Sequence, residues 1–392
     1  MAGHIDAGPA TTRPCHHQEM TDYRDAVRPA TEAIDVLSSE IEADLDEMAG
    51  GISWWNGHVG WKVSAQLGEY LLASCTGVGT SLRNASLAVE EHRRTEFSLN
   101  HKRSARARSL FGRVSSRDEK IAVFMPASAA EERNENLQAI WAEQVLVSLA
   151  QALDRLAAVV LVVSGVKANV LGTDWNELMK IAEKEPRSGR TQGVRQGTFA
   201  ASGTTGRDRQ SELLQIAVAW NEHGPEDWLP WLLKARNGTV HRASRMRFHV
   251  MTTDKGQPSG LITPLYAQPD WADTEAVISA SRGGLESMFL SSTPQAVFEG
   301  LLTSVASLSK AVVDASRQLW IDRRANPELI IQHGGTWRHL GKASVYQFPG
   351  YGDAAPTLAS EIAVHPSAIR RLRAAKLMDD QVGEWRSSSS DT

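Results

Sequence analysis

The sequence predicts an all-α protein whose main unit is a helical bundle. Apolar residues recur at spacings of three and four along several long segments, which places them on one face of a helix. Between residues 126 and 324, four or five such segments follow one another, separated by one loop and one Pro-rich crossing. Amphipathic helices connected in this way bury their apolar faces against each other as a bundle.

Shifts in composition divide the 392 residues into five parts. The predicted parts are a disordered tail at 1–20, an N-terminal helical region at 21–100, a basic linker at 101–125, the helical bundle at 126–324, and a small C-terminal appendage with a tail at 325–392. Within the appendage, residues 334–352 suggest a short hairpin and residues 365–380 a last helix.

The N-terminal region begins with an acidic amphipathic helix, in which Ile34, Leu37, Ile41 and Leu45 form one apolar face. Two further helices are predicted at 59–75 and 80–94. Residues 101–120 are basic and rich in Ser, which indicates an exposed connector, with an RNA-contacting patch as the alternative.

The longest predicted helix covers residues 128–163. Ser128 followed by Glu131 fits a capping box at its start. Its second half is apolar almost all round, which indicates burial, and only Asp154 and Arg155 interrupt it.

Three more helices surround this one in the predicted bundle. They lie at 173–185, with Thr173 or Asp174 as the N-cap, at 211–223, and at 293–324. Residues 187–209 are rich in Gly, Ser, Thr and Arg and are predicted to form a mobile loop. Residues 256–271 form the Pro-rich crossing.

Residues 225–251 are predicted to form another helix, and one charged position in it is unusual. On a helical wheel with about 100° per residue, Arg236 falls in the middle of the apolar face. An unpaired charge buried there is costly. The sequence leaves three explanations open: an ion pair with Asp154, extension of the guanidinium to the surface, or a functional arginine held in a cleft.

The surroundings of Arg236 are strongly basic, although the chain carries a net charge of −4. Five positive charges fall within 14 residues, with His241 and His249 among or just beyond them. The five are Lys234, Arg236, Arg242, Arg245 and Arg247. Such a local positive field suits phosphate groups. Histidine exchanges protons near neutral pH, and arginine stabilises charge that grows on a phosphoryl group.

The segment RNGTVH, from Arg236 to His241, resembles the signature of the HEPN superfamily. That signature is an Arg, a polar residue that is often Asn, three further residues and a His on a helix of an α-bundle. The looser Arg-to-His spacing also occurs from Arg94 and from Arg242, but only Arg236 is followed by such a polar residue. The resemblance covers about 126–324, and the apolar helix containing ALDRLAAVV is similar to an early helix of these bundles.

The resemblance implies a metal-independent endoribonuclease or a non-catalytic RNA-binding relative. HEPN proteins usually act as homodimers with two motifs facing one cleft, and many belong to toxin–antitoxin or phage-defence systems. Carried over to this chain, the resemblance makes His241 the acid or base, Arg236 the group that stabilises the charged phosphorane, and Asn237 the residue that positions both. RNA would be the substrate, because its 2′-OH acts as an internal nucleophile.

The basic residues Lys234, Arg242, Arg245 and Arg247 are then predicted to bind RNA, and an antitoxin or a sensor is a possible partner. Two alternatives stay open. The chain could be a non-catalytic helical module that binds RNA or a protein, or its site could lie elsewhere, for instance around His333, Arg338 and His339, which otherwise fit a turn with surface histidines.

Other functional classes find little support in the sequence. Two well-separated cysteines, Cys15 and Cys75, do not form a disulfide framework. No metal site and no cofactor are predicted. The N-terminus lacks the apolar segment of a secretory signal, and the longest apolar run, residues 156–163, is too short to span a bilayer. We therefore expect a cytoplasmic protein without a membrane partner.

Overall fold

The computed structural model describes residues 22–46, 54, 61–111, 116–165, 168–183, 204–241, 247–254, 257–270, 285–326, 329 and 366–374. These residues are mostly helical, which confirms the predicted all-α class. The helices are α1 Arg28–Leu45, α2 Trp61–Phe111, α3 Arg117–Ala122, α4 Ala129–Ser164, α5 Trp175–Glu183, α6 Thr204–Val218, α7 Trp228–His241, α8 Pro294–Ala325 and α9 Pro366–Ala374. Short 3-10 helices lie at Val170–Gly172, Ala219–His223 and Leu285–Met288, and two antiparallel strands at β1 Val250–Asp254 and β2 Gln257–Ile262.

Helix α4 lies at the centre of the molecule and packs against α2, α5, α6, α7 and α8. Its second half is buried without interruption from Leu156 to Ser164, as its all-round apolar character predicts. One continuous hydrophobic core joins it to the other helices, including α1, whose Ile34, Leu37, Ile41 and Leu45 are all buried. The helices predicted as a separate N-terminal region therefore share the core of the bundle.

The two ends of α4 are fixed by side chains and by glycine. At the start, the Ser128 hydroxyl accepts a hydrogen bond from the backbone N–H of Glu131 over 3.3 Å, as the predicted capping box requires. The Glu131 carboxylate accepts from the N–H of Ala127 instead of from Ser128, over 2.9 Å. At the other end Gly165 takes a left-handed conformation with φ of 70°, which glycine adopts without strain.

The basic segment after residue 100 differs from its prediction as an exposed connector. Residues 101–111 continue α2 as regular helix, and residues 117–122 form α3. Arg103 is buried and forms an ion pair with Glu135 of α4, and Arg106 pairs with Glu131 over 2.8 Å. The basic charges of this segment are therefore neutralised in part by the acidic start of α4, which the local sequence of 101–120 does not reveal.

The helix predicted over 225–251 is too long. Helix α7 ends at His241, and residues from Val250 onward form the antiparallel pair β1–β2, with an irregularity between Thr252 and Thr253. The segment 250–254 is rich in Val and Thr, which favour strands. Val240, expected on the buried apolar face, is 50% exposed. The β1–β2 hairpin packs on α2, where the Asn100 side chain accepts from the N–H of Leu261 over 3.3 Å.

Two helices, α4 and α8, are long and apolar. By length and composition alone, α4 and α8 could each cross a membrane, although the longest fully apolar run is short. Of the most apolar window, 78% is buried within the protein for α4 and 56% for α8. A core helix of a soluble protein passes the same test, so this finding is weak support for a membrane span.

Several predicted features lie partly or wholly outside the described residues. They are the tail at 1–20, most of the loop at 187–209, the hairpin at 334–352 with His333, Arg338 and His339, and the end of the last helix beyond residue 374. The loop prediction is wrong for residues 204–209, which begin α6. The described part of the last helix, α9, packs on α1, and its Arg371 pairs with Glu42 of α1 and Glu69 of α2.

Candidate functional site

The predicted site occupies the C-terminal half of helix α7. Leu232, Leu233 and Ala235 on this helix are buried in the core, whereas Lys234 and Asn237 are exposed. Arg236 lies at the boundary between the two faces, and its side chain is 20% exposed. Its guanidinium is therefore neither fully enclosed nor free in solvent.

Arg236 forms an ion pair with Asp154 of α4. Its Nη2 donates to Oδ2 of Asp154 over 3.0 Å. The other carboxylate oxygen, Oδ1, accepts from the backbone N–H of Trp175 at the start of α5 over 3.1 Å. A single carboxylate thus connects α4, α5 and α7, and the ion pair is the first of the three explanations that the sequence left open.

The Asp154 carboxyl is held in a partly desolvated position. Burial raises its pKa above the ordinary value, while the hydrogen bond from Trp175 and the charge of Arg236 act in the opposite direction, and Asp174 adds to the rise. Burial prevails, so its penalty on the charged carboxylate outweighs the stabilisation that Trp175 and Arg236 provide. Asp174 itself caps α5, accepting from the N–H of Glu177 over 2.9 Å.

The guanidinium of Arg236 keeps hydrogen-bonding capacity beyond this pair. Among the residues that the structure describes, Asp154 is its one bonded partner, and it engages Nη2 alone. Arginine offers five N–H donors in a planar fork. A carboxylate bound at one nitrogen orients that plane and leaves its other edge available for a second anion, such as a phosphate.

The remaining residues of the predicted site are described only in part. Asn237 is exposed beside Arg236, and His241 is the last residue of α7. The side chain of His241, and the whole of Arg242 and Arg245, lie outside the described residues. Of the other predicted RNA-binding residues, Lys234 and Arg247 are both exposed. Lys234 lies on α7, and Arg247 lies just before β1.

A cavity of about 270 Å³ lies on the neighbouring face of α7. It is bounded by α4, α7, the segment 263–269 and the start of α8. Gly238 and Thr239, inside the RNGTVH segment, line this cavity, whereas Arg236 reaches to Asp154 instead. Within the motif, Arg236 therefore contacts Asp154, whereas Gly238 and Thr239 form part of the cavity wall.

Gly238 has a packing reason to be glycine. A Cβ at this position would lie 3.2 Å from the carbonyl oxygen of Pro269, closer than most real Cβ contacts. Helix α7 continues through Gly238 to His241. The glycine thus allows the Pro-rich segment to approach α7 closely and form one wall of the cavity.

Two histidines line the cavity, and burial lowers the pKa of both. His249 bonds through Nδ1 to the Thr263 hydroxyl over 3.0 Å, and the nearby charges of Arg103 and Arg247 lower its pKa further. His92 is 2% exposed and bonds through Nδ1 to Oε1 of Gln295 over 2.9 Å, which partly opposes the effect of burial. Both rings are therefore held toward the neutral form, in which one nitrogen donates and the other accepts.

Sequence reasoning did not find most of the cavity. Its walls come from parts of the chain about 200 residues apart, such as His92 and Phe298, and no local spacing connects them. Six of its lining residues did lie in the predicted helix over 225–251 that carries the basic charges, namely Trp231, Ala235, Gly238, Thr239, Arg247 and His249. The described residues contain no group of three or more His, Cys, Asp or Glu side chains placed to hold a metal ion.

Comparison with known proteins adds no relative to this picture: no protein-family model matches the chain, and neither the curated proteins nor the solved structures give a match.

Proposed function

We propose that the protein is a metal-independent endoribonuclease of the HEPN type, with Arg236, Asn237 and His241 as its catalytic residues. The observation that carries the proposal is the Arg236 guanidinium, which Asp154 holds through one nitrogen at 3.0 Å beside the exposed Asn237. His241 follows on the same helix, about one turn beyond Asn237. The resemblance of RNGTVH to the HEPN signature supplies the chemistry.

In the proposed reaction the ribose 2′-oxygen bonds to the adjacent phosphorus while the bond from phosphorus to the 5′-oxygen breaks. His241 accepts the proton of the 2′-OH or delivers one to the leaving 5′-oxygen. Arg236 stabilises the negative charge of the phosphorane, and Asn237 positions the two. The products are a 2′,3′-cyclic phosphate and a 5′-OH end, and DNA is not cut because it lacks the 2′-OH.

Asp154 has a defined part in this proposal as a positioning residue. An arginine side chain loses rotational freedom when it binds an anion, and a prior hydrogen bond to one nitrogen reduces that loss. The Asp154 carboxylate also reduces the net positive charge near the scissile phosphate. It therefore fixes the orientation of the Arg236 guanidinium but weakens the attraction of that group for the phosphate. Lys234 and Arg247, both exposed, supply additional positive charge for the RNA backbone.

The resemblance to HEPN proteins also bears on the oligomeric state and the cellular role. We propose a cytoplasmic homodimer in which two α7 motifs face one cleft, acting in bacterial phage defence or as a toxin with an antitoxin or sensor partner.

The ion pair itself favours a second candidate, a non-catalytic helical module that binds RNA or a protein. Arg236 already has a structural partner in Asp154, and a pair that links α4, α5 and α7 has a role in folding without any catalysis. In this alternative the exposed basic residues still bind a polyanion, but replacing His241 leaves the activity unchanged.

The two candidates are separated by incubating the purified protein with mixed cellular RNA in EDTA. We expect wild type to cut RNA and His241→Ala and Arg236→Ala to fail, while the matched controls His223→Ala and Arg209→Ala cut normally. Cleavage by all variants would contradict the proposal. If neither wild type nor any variant cuts RNA, but wild type binds RNA with a steep salt dependence, the binding module is supported instead.

A further inference from the structure

The cavity beside α7 has the apolar walls of a small-molecule site. Aromatic rings contribute three of its walls: Trp231 from α7, Tyr266 from the Pro-rich segment and Phe298 from α8. Trp231 is fixed because its indole N–H donates to the carbonyl of Tyr266 over 3.1 Å. At about 270 Å³, the cavity is near the lower end of the usual range for sites of this kind, about 300–1,000 Å³.

Polar groups are distributed among these apolar walls. Gln138 offers an amide that can both donate and accept, Thr239 and Thr263 offer hydroxyls, and His249 is fixed by its bond to Thr263. The Thr239 hydroxyl donates to the carbonyl of Ala235 over 3.0 Å, and Thr263 and His249 bond to each other, so each of these groups is held in place and keeps capacity for a further bond to the polar edge of a ligand. A planar heterocycle with polar edges satisfies both the rings and the polar groups.

One cationic residue of the lining, Arg247, suits an anionic extension of such a heterocycle. Glu135 lines the cavity, but Arg103 neutralises it through an ion pair. Arg247 also lines the cavity and is exposed, so its guanidinium lies where the cavity meets solvent. Glu143, likewise exposed, is the remaining acid of the lining and can accept from an exocyclic amino group.

The cavity is adjacent to the proposed catalytic helix. Gly238 and Thr239 line it, and Asn237 immediately precedes them on the exposed side of α7. A base bound in the cavity therefore contacts the helix that carries Asn237. Single-stranded RNA is commonly recognised in this way, by unstacked bases that pack on aromatic rings and bond through their edges.

We propose that this cavity binds one unstacked nucleobase of the RNA substrate, with the adjoining phosphate bound by Arg247, and that it determines where the RNA is cut. The proposal rests on the proposed function, because it names RNA as the ligand. A free nucleotide shares the same chemistry and is the other source of such a ligand.

The test fills the cavity from α4. Ala139 lines the cavity and is partly exposed, so Ala139→Leu places a larger side chain in it, and Ala130→Leu on the exposed first turn of the same helix is the matched control. The probes are the four nucleoside 5′-monophosphates and a single-stranded oligoribonucleotide, titrated by calorimetry. A second variant, Arg247→Gln, removes the phosphate partner while leaving the shape of the cavity unchanged, and thermal unfolding verifies that all variants fold.

We expect at least one monophosphate to bind wild type and Ala130→Leu equally, and Ala139→Leu to lose about 10-fold or more of that affinity, the equivalent of one stacked base. Arg247→Gln should weaken the binding of the oligoribonucleotide and reduce the salt dependence of that binding. The proposal is overturned if no probe binds wild type, or if Ala139→Leu binds all probes as wild type does. An oligoribonucleotide that fails to compete with the bound monophosphate would overturn the assignment to an RNA chain.

Failure of this proposal and failure of the proposed function give different results. If Ala139→Leu cuts RNA at the same positions and with the same KM as wild type, the base pocket is wrong and the ribonuclease stands. If wild type does not cut RNA but binds a monophosphate that Ala139→Leu has lost, the ribonuclease is wrong and the nucleotide-binding chemistry of the cavity stands.

Discussion

Asp154 on α4 accepts a hydrogen bond from Arg236 on α7 over 3.0 Å, and the same carboxylate accepts from the first N–H of α5 over 3.1 Å. Neither side chain is more than a third exposed, at 29% and 20%. The pair is therefore better shielded from solvent than a surface ion pair. Among the described residues, Asp154 bonds only one nitrogen of the guanidinium.

A double-mutant cycle should detect the pair directly. We expect Arg236→Ala to lower the free energy of unfolding, and we expect a coupling of about 1–2 kcal/mol between this change and Asp154→Asn. Asparagine keeps an oxygen that can accept from the N–H of Trp175. Asp154→Ala removes this hydrogen bond at the start of α5 and should therefore cost about 1 kcal/mol more than Asp154→Asn. Chemical denaturation measures all of these values, and purely additive effects would mean that the pair contributes no stability.

The elevated pKa of Asp154 predicts a pH dependence of stability. Since the folded pKa lies above the unfolded value of about 3.9, the folded state holds more protons than the unfolded state between the two values. The stability from this group is then present below about pH 4 and is lost as pH rises through the folded pKa. Denaturation at a series of pH values should show wild type losing stability relative to Asp154→Asn as pH rises.

Removing Arg236 should extend that pH dependence. The arginine lowers the pKa of Asp154, so Arg236→Ala leaves burial less opposed and the folded pKa rises further. We expect the loss of stability with rising pH to continue to higher pH in this variant. A pH profile parallel to that of wild type would show that the arginine does not influence the carboxyl.

Gly238 gives a prediction with an internal control. A glycine inside a helix costs about 1 kcal/mol relative to alanine. At Gly300 in α8, a Cβ would meet nothing within 4 Å, so Gly300→Ala should gain most of that energy. At Gly238, the carbonyl of Pro269 at 3.2 Å must move, so Gly238→Ala should gain less. Equal gains measured by chemical denaturation would contradict the close approach of the two segments.

Arg323 is expected to be essential for the end of α4. It is 4% exposed, and its guanidinium donates to the carbonyls of Val163 and, over 2.7 Å, of Ser164, while burial lowers its pKa to about 10. Those carbonyls end a helix and have no further partner within it. Arg323→Met should destabilise the protein by about 1–3 kcal/mol, because the Val163 carbonyl loses this donor, whereas the Ser164 carbonyl still accepts from Gln210 over 2.6 Å. A change within about 0.5 kcal/mol, measured by chemical denaturation, would show that water replaces the arginine.

The long periodic elements could be predicted from the sequence because one apolar face determines each of them. Helices α1, α4 and α8 lie where the spacing of apolar residues places them, and Ser128 marks the start of α4. The end of α7 could not be predicted, because Val250 and its neighbours fit either a helical face or a strand until their pairing partner is known. The burial of Arg103 was missed for a similar reason, since its partner Glu135 lies on another helix.

Only the part of the candidate site that lies on one helix was predicted from the sequence. The position of Arg236 on the apolar face indicated a partner, and Asp154 was named among the explanations because it interrupts an apolar helix. The cavity depends on six separate segments, from α2, α4, α7, the residues before β1, the segment 263–269 and α8, so no spacing in the sequence indicates it. Its aromatic walls, Trp231, Tyr266 and Phe298, become neighbours only in the folded chain.

The central claim is tested most directly by the chemistry of the RNA ends. A short oligoribonucleotide that wild type cuts in EDTA is compared by mass spectrometry with the same oligonucleotide carrying one 2′-deoxyribose at the cut position. We predict 2′,3′-cyclic phosphate and 5′-OH ends from the first, no cut at the modified position, and no cleavage of either by His241→Ala. Cleavage at the deoxyribose, or unchanged cleavage by His241→Ala, would contradict the account.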